Sequence, residues 1–436
     1  MEKLYLIHAT IAVEPAMEPS GWLKEAFLLI EGGVIEEISP SPLSPQRVDG
    51  AEVLDLSSRA VTPVWINGHT HLSQTFLRGL VGDRPLLRWL REAIWPLQQA
   101  FSPEVLEVAA LLGLAENIRS GAGLVVDHQK ITHDVSFTEK VYKAAQQSGL
   151  RVWIARAWSD RGSGAENPKA VMEELERWLS NNKANQRVKF ANGPLAPWRC
   201  SAETLQATHQ LALQYGAFTH IHVSETQEEV KLTWDEYRKH PVEWLESLGI
   251  LGEHIQIVHG VWVQEPELQL LAERKALVVH CPVSNAVLGS GIAPLGDFIE
   301  RGIRVRLGTD GPASNDVQDC FETMKFALCL ARAANCKPSL IPPRLALEVA
   351  WGKPGLRRGE AADLAILRLD TVWTAPVHDL DSALVLSARA SNVESLLIEG
   401  DWVLRDGKIL TIDEETLIKE GSALLKWLRQ KAGLED

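Results

Sequence analysis

Residues 61–80 read VTPVWINGHTHLSQTFLRGL, an apolar, β-branched run that leads into two histidines. In an extended chain, residues two apart point to the same side of the strand. The imidazoles of His69 and His71 therefore converge on one point at the end of a buried strand. An isolated H-x-H pair is more often part of a polar loop, so its meaning depends on the rest of the chain.

Beyond this stretch, short strand-like runs alternate with helical segments. A typical helical segment, SPEVLEVAALLGLAENIRSG (102–121), begins with a Ser N-cap, has apolar residues at helical spacing and ends at Gly. Strict alternation of strand and helix predicts parallel strands with crossovers, and eight strands close a (β/α)8 TIM-like barrel. No G-x-G-x-x-G follows an early strand to favour an open, doubly wound sheet. The predicted strands are 61–66, 122–126, 151–155, 188–191, 218–223, 255–258, 277–280 and 304–307.

The two flanks of the chain have a different pattern, with hairpin-like β segments in 1–60 and in roughly 357–411. Their turn signals are Gly32-Gly33 and Asp406-Gly407. Neither flank is large enough to bury a core alone, so we expect them to pair into one small β-sandwich. The predicted organisation is an N-terminal sandwich part (1–60), a catalytic barrel (61–350), and a C-terminal sandwich part with a closing helix (351–436).

Composition limits the class of protein. The chain has 436 residues, and its 45% hydrophobic content suffices for a substantial core. A formal net charge of −13 argues against binding a nucleic-acid backbone, because such binding relies on basic residues that release counterions. This charge does not exclude a nucleobase or another small heterocycle as substrate.

Cysteine usage and hydropathy predict the compartment. Five cysteines without paired spacing fit reduced thiols in a cytoplasm better than a disulfide framework. The first apolar run, Leu4 to Ile7, is too short for a signal peptide, and no uncharged stretch approaches the roughly 20 residues of a membrane span. We therefore expect a cytoplasmic protein that does not enter a membrane.

Polar residues follow several of the predicted barrel strands. Chemistry in such barrels takes place at the carboxyl ends of the strands. There the sequence places His69 and His71 after strand 1, His222 after strand 5, His259 after strand 6 and Asp310 after strand 8. Three imidazoles and a carboxylate form a suitable site for one divalent transition metal, with Zn²⁺ first and Fe²⁺ or Mn²⁺ as alternatives.

Six motifs resemble those of the amidohydrolase superfamily, in the branch of cytosine- and guanine-deaminase-like and triazine-hydrolase-like enzymes. The resemblance extends over nearly the whole chain and is specific for the superfamily, but less so for the substrate. The motifs are INGHTHLSQ (66–74), HIHVSE (220–225), VHGVW (258–262), HCPVSNAVLGSGIAP (280–294), LGTDGPASND (307–316) and GEAADLAIL (359–367).

The resemblance implies roles for the residues of these motifs. It implies that Glu225 shuttles protons and that His259 polarises the substrate or the water on the metal. Asp310 would accept the proton from that water, whose hydroxide attacks a ring carbon and releases ammonia. One divalent metal ion would be held by three imidazoles and a carboxylate: those of His69, His71, His222 and Asp310.

Contacts to the substrate are expected from further positions. Gln74 and Trp95 match positions that contact substrate or line the pocket in the resembling deaminases, although each also suits a structural role. His128, at the end of strand 2, is a further candidate, with support of the site as the alternative. Asn285 is the last candidate, and shaping of its loop is the favoured role.

Three departures from the family pattern bear on substrate and metal. Relatives that act on adenosine-like substrates have a ribose-contacting histidine where this chain has Leu195, which argues against a nucleoside. Arg156 or Arg161 would have to replace their specificity-determining arginine. Lys189 lies on strand 4, six residues before Leu195, and we favour a single metal over a pair bridged by a carboxylated lysine. The segment near 350–358 is also shorter than in relatives.

The leading functional prediction is a hydrolytic deaminase of a free aminated heterocycle, such as a purine, pyrimidine, pterin or triazine. The alternatives at the same site are removal of chloride or an alkylamine from a triazine, and hydrolysis of a cyclic amide. Glu225 favours amine release, because a leaving amine needs a proton and chloride does not. A homodimer is expected from the resemblance, and a non-catalytic scaffold is disfavoured because every expected ligand is present.

Overall fold

The computed structural model describes residues 3–80, 84–183 and 186–433. The strands are β1 (Leu4–Ala12), β2 (Trp22–Glu31), β3 (Val34–Ser39), β4 (Glu52–Asp55), β5 (Arg59–Pro63), β6 (Trp65–Thr70), β7 (Ala122–Gln129), β8 (Arg151–Trp158), β9 (Val188–Pro194), β10 (Thr219–Val223), β11 (Ile255–His259), β12 (Leu277–His280), β13 (Arg304–Leu307), β14 (Leu364–Arg368), β15 (Val393–Ile398), β16 (Asp401–Arg405) and β17 (Lys408–Ile409).

The α-helices are α1 (Pro45–Val48), α2 (Leu86–Trp89), α3 (Trp95–Gln99), α4 (Pro103–Arg119), α5 (Val135–Ser148), α6 (Pro168–Leu179), α7 (Ala202–Gln214), α8 (Gln227–Tyr237), α9 (Pro241–Ser247), α10 (Glu265–Glu273), α11 (Pro282–Val287), α12 (Leu295–Glu300), α13 (Pro312–Asn315), α14 (Cys320–Asn335), α15 (Pro343–Trp351), α16 (Leu380–Ser382) and α17 (Glu414–Lys431). Short 3-10 or π segments are Leu72–Leu77, Leu90–Ile94, Pro197–Arg199, Ala383–Ser387 and Ala390–Asn392.

Strands β6 to β13 form the predicted parallel barrel, with each strand hydrogen-bonded to the next in chain order. The first and last strands meet where the backbone N–H of Asp310 donates to the carbonyl of His69 at 2.9 Å. A Cβ at position 308 would lie 2.9 Å from the Cβ of His69, so Gly308 permits this close approach. Closure of the barrel therefore brings Asp310 directly beside the histidines that follow β6.

The two flanks join in one nine-stranded mixed sheet, in the order β17-β16-β15-β14-β5-β1-β2-β3, with β4 paired to β1. Antiparallel pairing of β5 with β14, with Val61 opposite Ile366, connects the N-terminal part to the C-terminal part. Leu4, Leu28 and Leu364 belong to a buried apolar cluster of this sheet that is separate from the barrel core. The predicted small β domain built by both flanks is thereby confirmed.

The stretch predicted as one strand over 61–66 is two strands. β5 belongs to the terminal sheet, and β6, after Val64 alone, is the first strand of the barrel. Pro63 has no N–H to continue the β5 ladder, which suits the end of a strand. The six apolar or β-branched residues 61–66 thus contribute to two sheets, and β5 crosses the boundary predicted at residue 60.

The connection from barrel to terminal sheet is short and tightly packed. After α15, Leu356 donates its backbone N–H to the carbonyl of Ala12 at 3.0 Å. A Cβ at position 355 would lie 2.2 Å from the carbonyl carbon of Val13, so Gly355 is required for this approach. The segment near 350–358 therefore runs directly against the end of β1. Across the described residues, we find no helix with the length and apolar character needed to cross a membrane.

We expect Gly355→Ala to lower the free energy of unfolding by about 1–3 kcal/mol, because the added methyl meets rigid backbone. Gly252→Ala is the matched control, since a Cβ there meets nothing within 4 Å. Denaturant and thermal unfolding followed by circular dichroism would measure both. Equal stability of the two variants would show that the chain at 355 relaxes without cost.

Candidate metal centre and active site

Four of the predicted ligands converge at the carboxyl end of the barrel. The Nε2 atoms of His69 and His71 each lie 3.3 Å from Oδ1 of Asp310. The ring of His222 is centred 5.0 Å from that of His69. Sets of side chains whose ligand atoms all lie within 4.8 Å of one another are His69, His71 and Asp310; His69, His222 and His259; and His71, His128 and His222.

Backbone carbonyls orient these imidazoles. Nδ1 of His71 lies 2.7 Å from the carbonyl oxygen of His128, and Nδ1 of His222 lies 2.7 Å from that of Leu195. Each Nδ1–H donates to its carbonyl, so each Nε2 directs a lone pair toward the centre. Nε2 of His222 and Nε2 of His69 are buried and have no hydrogen-bond partner among the described residues. Neutral imidazoles held in this way are the usual ligands of a divalent transition metal, so the residues fit one.

The charges of the cluster also favour a cation. Burial lowers the pKa of His71 and of His222 well below its ordinary value, which keeps both imidazoles neutral. Burial alone would raise the pKa of Asp310, but the imidazole of His69, whose Nε2 lies 3.3 Å from Oδ1, holds that pKa well below its usual range. A carboxylate anion is thus surrounded by neutral nitrogens in a buried centre, and a divalent cation would compensate its charge.

Asp310 is held in place by its own loop. Its Oδ2 accepts hydrogen bonds from the hydroxyls of Ser284 at 2.6 Å and Ser314 at 3.2 Å, and its Oδ1 accepts from the N–H of Gly311 at 2.7 Å. Asp310 has a left-handed backbone with φ of 60°, as does His259 with φ of 73°. Such conformations are uncommon outside glycine and concentrate at functional sites.

His220 is a member of the cluster that the sequence reasoning missed. Its Nε2 lies 2.7 Å from Nδ1 of His69, and its Nδ1 lies 2.8 Å from Oε1 of Gln256. This chain of hydrogen bonds orients His69, as the carbonyls orient the other imidazoles. The signal was present in the sequence, because His220 and His222 form a second H-x-H pair whose side chains share one side of β10.

Glu225 and His259 lie together beside the metal cluster. Nε2 of His259 is 3.5 Å from Oε2 of Glu225, and its Nδ1 donates to Oδ1 of Asn285 at 2.9 Å. Burial, reinforced by the negative charge of Asp310, raises the pKa of Glu225 to about 8. A protonated carboxyl at neutral pH is suited to act as a general acid.

A cavity of about 500 Å³ opens above this cluster. Its floor includes His71, His222, Glu225, His259 and Asp310. Its walls include four tryptophans, Trp89, Trp95, Trp158 and Trp198. Its size lies within the range of about 300–1,000 Å³ that small-molecule sites occupy.

The predicted substrate contacts divide into two groups. Gln74 and Trp95 line the cavity. His128 and Asn285 are buried behind it: Nε2 of His128 donates to the carbonyl of Gly193 at 2.9 Å, and Asn285 supports His259. The structure therefore places two of the four candidates where they can touch a ligand and the other two where they support the site.

The arginines considered for specificity lie elsewhere. Arg156 forms ion pairs with Glu166 at 2.6 Å and Glu174 at 2.5 Å, and Arg161 pairs with Glu236 at 2.8 Å. Cavity-lining charged residues that the sequence reasoning did not single out are Lys130, Glu166, Arg199 and Glu229.

Comparison with known proteins identifies the family. The sequence model of the amidohydrolase family matches residues 60–403. The chain belongs to this family. It is 35% identical over 402 residues to the 5-methylthioadenosine/S-adenosylhomocysteine deaminase of Pyrococcus furiosus, covering 90% of this chain and 93% of that protein.

Solved structures of amidohydrolases share the fold. The crystal structure of an adenosine deaminase from Xanthomonas campestris, with bound zinc, superposes with a TM-score of 0.89 at 26% identity and covers 98% of each chain. Atrazine chlorohydrolase of Arthrobacter aurescens, a mutant in complex with zinc and atraton, gives a TM-score of 0.89 over 97% of this chain and 100% of that one. At 23% identity, the latter likeness shows the fold alone.

We expect the wild-type protein to bind about one zinc ion per chain. His69→Ala should bind much less, because the variant removes one of the four assigned ligands. Plasma mass spectrometry after equilibration with zinc and exhaustive dialysis would measure the content. Zinc should also raise the thermal midpoint of the wild type more than that of the variant. His254→Ala, at an exposed position, is the control, and equal metal content in both variants would contradict the assignment.

Proposed function

We propose that this amidohydrolase is a metal-dependent hydrolytic deaminase that removes the exocyclic amine of a small heterocycle. The observation that carries the proposal is the buried carboxyl of Glu225, whose Oε2 lies 3.5 Å from Nε2 of His259 at the floor of the cavity and whose pKa is raised by burial. Amine release requires a proton donor at that place, and the named relatives of the chain are deaminases.

The metal is assigned to His69, His71, His222 and Asp310, with zinc as the favoured ion. When bound, such an ion lowers the pKa of water from about 15.7 to about 7 and so makes hydroxide available at neutral pH. Nitrogen ligands suit zinc, and both zinc-containing neighbours share the fold.

The residues of this chain supply the remaining chemistry. Asp310, fixed by Ser284 and Gly311, is placed to take the proton that water loses. Glu225 protonates a ring nitrogen and then the departing amine, and the imidazole of His259 lies between that carboxyl and the metal cluster. Gln74 and Trp95 contact the ring, while the aromatic walls exclude water from it.

The favoured substrate is a free heterocycle. Leu195 lines the cavity with an aliphatic side chain, and its carbonyl already accepts the hydrogen bond from His222, so the residue donates nothing to a sugar. An adenosine-type nucleoside is the second candidate, because the relatives named above act on such compounds and the cavity has room for one. Removal of chloride from a triazine is less favoured, since chloride needs no proton from Glu225.

We expect Glu225→Gln to lower kcat/KM for ammonia release by about 10²–10⁴-fold, because an amide cannot deliver the proton. Metal content should stay unchanged, which separates this loss from loss of the cation. Glu228→Gln, at an exposed position in the first turn of the helix that follows Glu225, is the matched control. Full activity of the Glu225 variant would remove the carboxyl from the reaction.

The pH profile should show an alkaline limb that belongs to Glu225. The carboxyl is protonated below its pKa of about 8, so activity that uses this proton falls as pH rises through that value. A bound cation favours the carboxylate and moves the limb to lower pH. The residual activity of Glu225→Gln, measured by ammonia release between pH 6 and 10, should lack the limb. If the limb persists, another group titrates there.

A panel of bases and their ribonucleosides would distinguish the two substrate classes. We expect kcat/KM for ammonia release to be at least about tenfold higher for the base than for its ribonucleoside. The aliphatic side chain of Leu195 lines the cavity and offers the ribose hydroxyls no hydrogen-bond partner. A kcat/KM that is higher for the ribonucleoside would show that the substrate is a nucleoside. Chloride release from a chlorotriazine, measured on the same preparation, tests the third possibility.

A further inference from the structure

Lys130 is a charged residue of the cavity that the proposed reaction does not use. It follows β7 directly, at the same barrel end as the metal cluster, and it lines the cavity. Within the described part of the chain, its ammonium makes no hydrogen bond and no ion pair. A partly buried ammonium without a partner is unfavourable, so its presence calls for a ligand that satisfies it.

Arg199, the other unpaired cation that lines the cavity, is explained by structure alone. Its guanidinium donates to the hydroxyl of Ser159 at 2.8 Å and to the carbonyl of Ser163 at 2.6 Å. It also stacks over Trp95 and Trp198, with its Cζ 5.7 and 5.4 Å from the ring centres. Arg199 thus fixes the aromatic wall, whereas Lys130 has no comparable structural contact.

The position of Lys130 is close to the reaction centre. Its positive charge contributes to lowering the pKa of His71 and His222. The carboxylates of Asp310, Glu225 and Glu229 in turn oppose the effect of burial, which lowers the pKa of Lys130 itself. Lys130 also lines the same cavity as these residues, so its ammonium is available to a ring that binds there. A bound divalent cation would add to the positive charge of the cavity.

Other unsatisfied polar atoms of the cavity are mainly donors. Nε2 of Gln98 and Nε of Arg199 are buried without a hydrogen-bond partner among the described residues. Oε1 of Gln74 is an unsatisfied acceptor in the same cavity. A ligand that satisfies these atoms would present acceptors to Gln98 and Arg199, and an amine or N–H to Gln74.

We propose that the substrate ring carries, beside its amine, an exocyclic oxygen, either oxo or an ionised hydroxyl, and that Lys130 donates a charge-assisted hydrogen bond to this oxygen. The inference rests on the proposed function, because it specifies the substrate of that same site. Lys130 is then a specificity-determining residue, and it takes no part in bond making or breaking. When a ring lacks the oxygen, the ammonium of Lys130 stays unpaired in the complex. The site therefore discriminates strongly against such rings.

The test uses pairs of rings that share the amine and differ by one oxygen. Adenine with 2-oxoadenine, 2-aminopurine with guanine, and 4-aminopyrimidine with cytosine are such pairs. Ammonia release by the zinc-loaded wild type should favour the oxygen-bearing member. Lys130→Met, which keeps the length of the side chain without its charge, should reduce that preference by about 10- to 100-fold. Lys130→Arg should keep part of the preference for the oxygen-bearing ring. The control is Lys169→Met, because the side chain of Lys169 is 85% exposed.

Two outcomes would overturn the inference. Equal losses of kcat/KM on both members of a pair would make Lys130 a positioning residue for Glu225 or for the metal cluster. An unchanged preference in Lys130→Met would show that the oxygen is recognised by another group. Zinc content and thermal midpoint of each variant would identify one that has simply lost its fold or its metal.

A binding measurement separates this inference from the proposed function. Calorimetry of zinc-loaded Glu225→Gln gives dissociation constants for both members of a pair without turnover, and the Glu225→Gln, Lys130→Met double variant gives the comparison. A preference for the oxygen-bearing ring that disappears in the double variant supports the role of Lys130, even if the wild type releases no ammonia. In that case only the deaminase proposal fails. Ammonia release with no such binding preference overturns the inference alone.

Discussion

A buried carboxylate surrounded by neutral imidazoles is the constraint on which the structure depends. Asp310 keeps its charge among nitrogens that burial keeps neutral, and the Nε2 atoms of His69 and His222 have no partner in the described protein. Such a centre is unfavourable without a cation and highly specific for one. The hydroxyls, carbonyls and left-handed backbone around it therefore hold the ligand side chains in a geometry suited to a cation.

The barrel itself provides much of that support. The carbonyls that set the tautomers of His71 and His222 belong to His128, at the end of β7, and to Leu195, after β9. His71 and His222 are thus oriented by residues at the ends of neighbouring strands, whereas Asp310 is held by Gly311 and Ser314 of its own loop and by Ser284. The positions of these carbonyls depend on the order and register of the parallel strands. Correct closure of the barrel therefore also sets the tautomers that His71 and His222 need as metal ligands.

Sequence periodicity predicted the eight barrel strands within a few residues, and the family resemblance is confirmed. Periodicity failed at 61–66, where one apolar run is shared by two sheets. An apolar run indicates that its residues are buried, but it does not indicate in which core they are buried. The H-x-H logic placed His69 and His71 correctly and, applied once more to THIHV, would have found His220. His128 was known to face the barrel mouth, but its depth there depends on neighbours that no local pattern specifies.

Residues of the cavity walls were harder to predict. Lys130, Arg199 and Glu229 reach the cavity from three separate loops or helix starts, and their meeting depends on tertiary packing. Arg156 illustrates the opposite error: a candidate for specificity is instead neutralised by Glu166 and Glu174. Charge in a sequence becomes informative about ligands only when the structure shows which charges already have partners.

The order of the strands in the terminal sheet affects how the protein is made. β5 emerges from the ribosome early, yet its neighbour β14 is synthesised about 300 residues later, since Val61 pairs with Ile366. At typical rates of about 5–20 residues per second, the N-terminal strands wait on the order of 15–60 seconds with an open edge. During synthesis the nascent chain therefore exposes an apolar strand edge that is prone to wrong pairing. This exposure follows from the strand order of the terminal sheet and not from the metal chemistry.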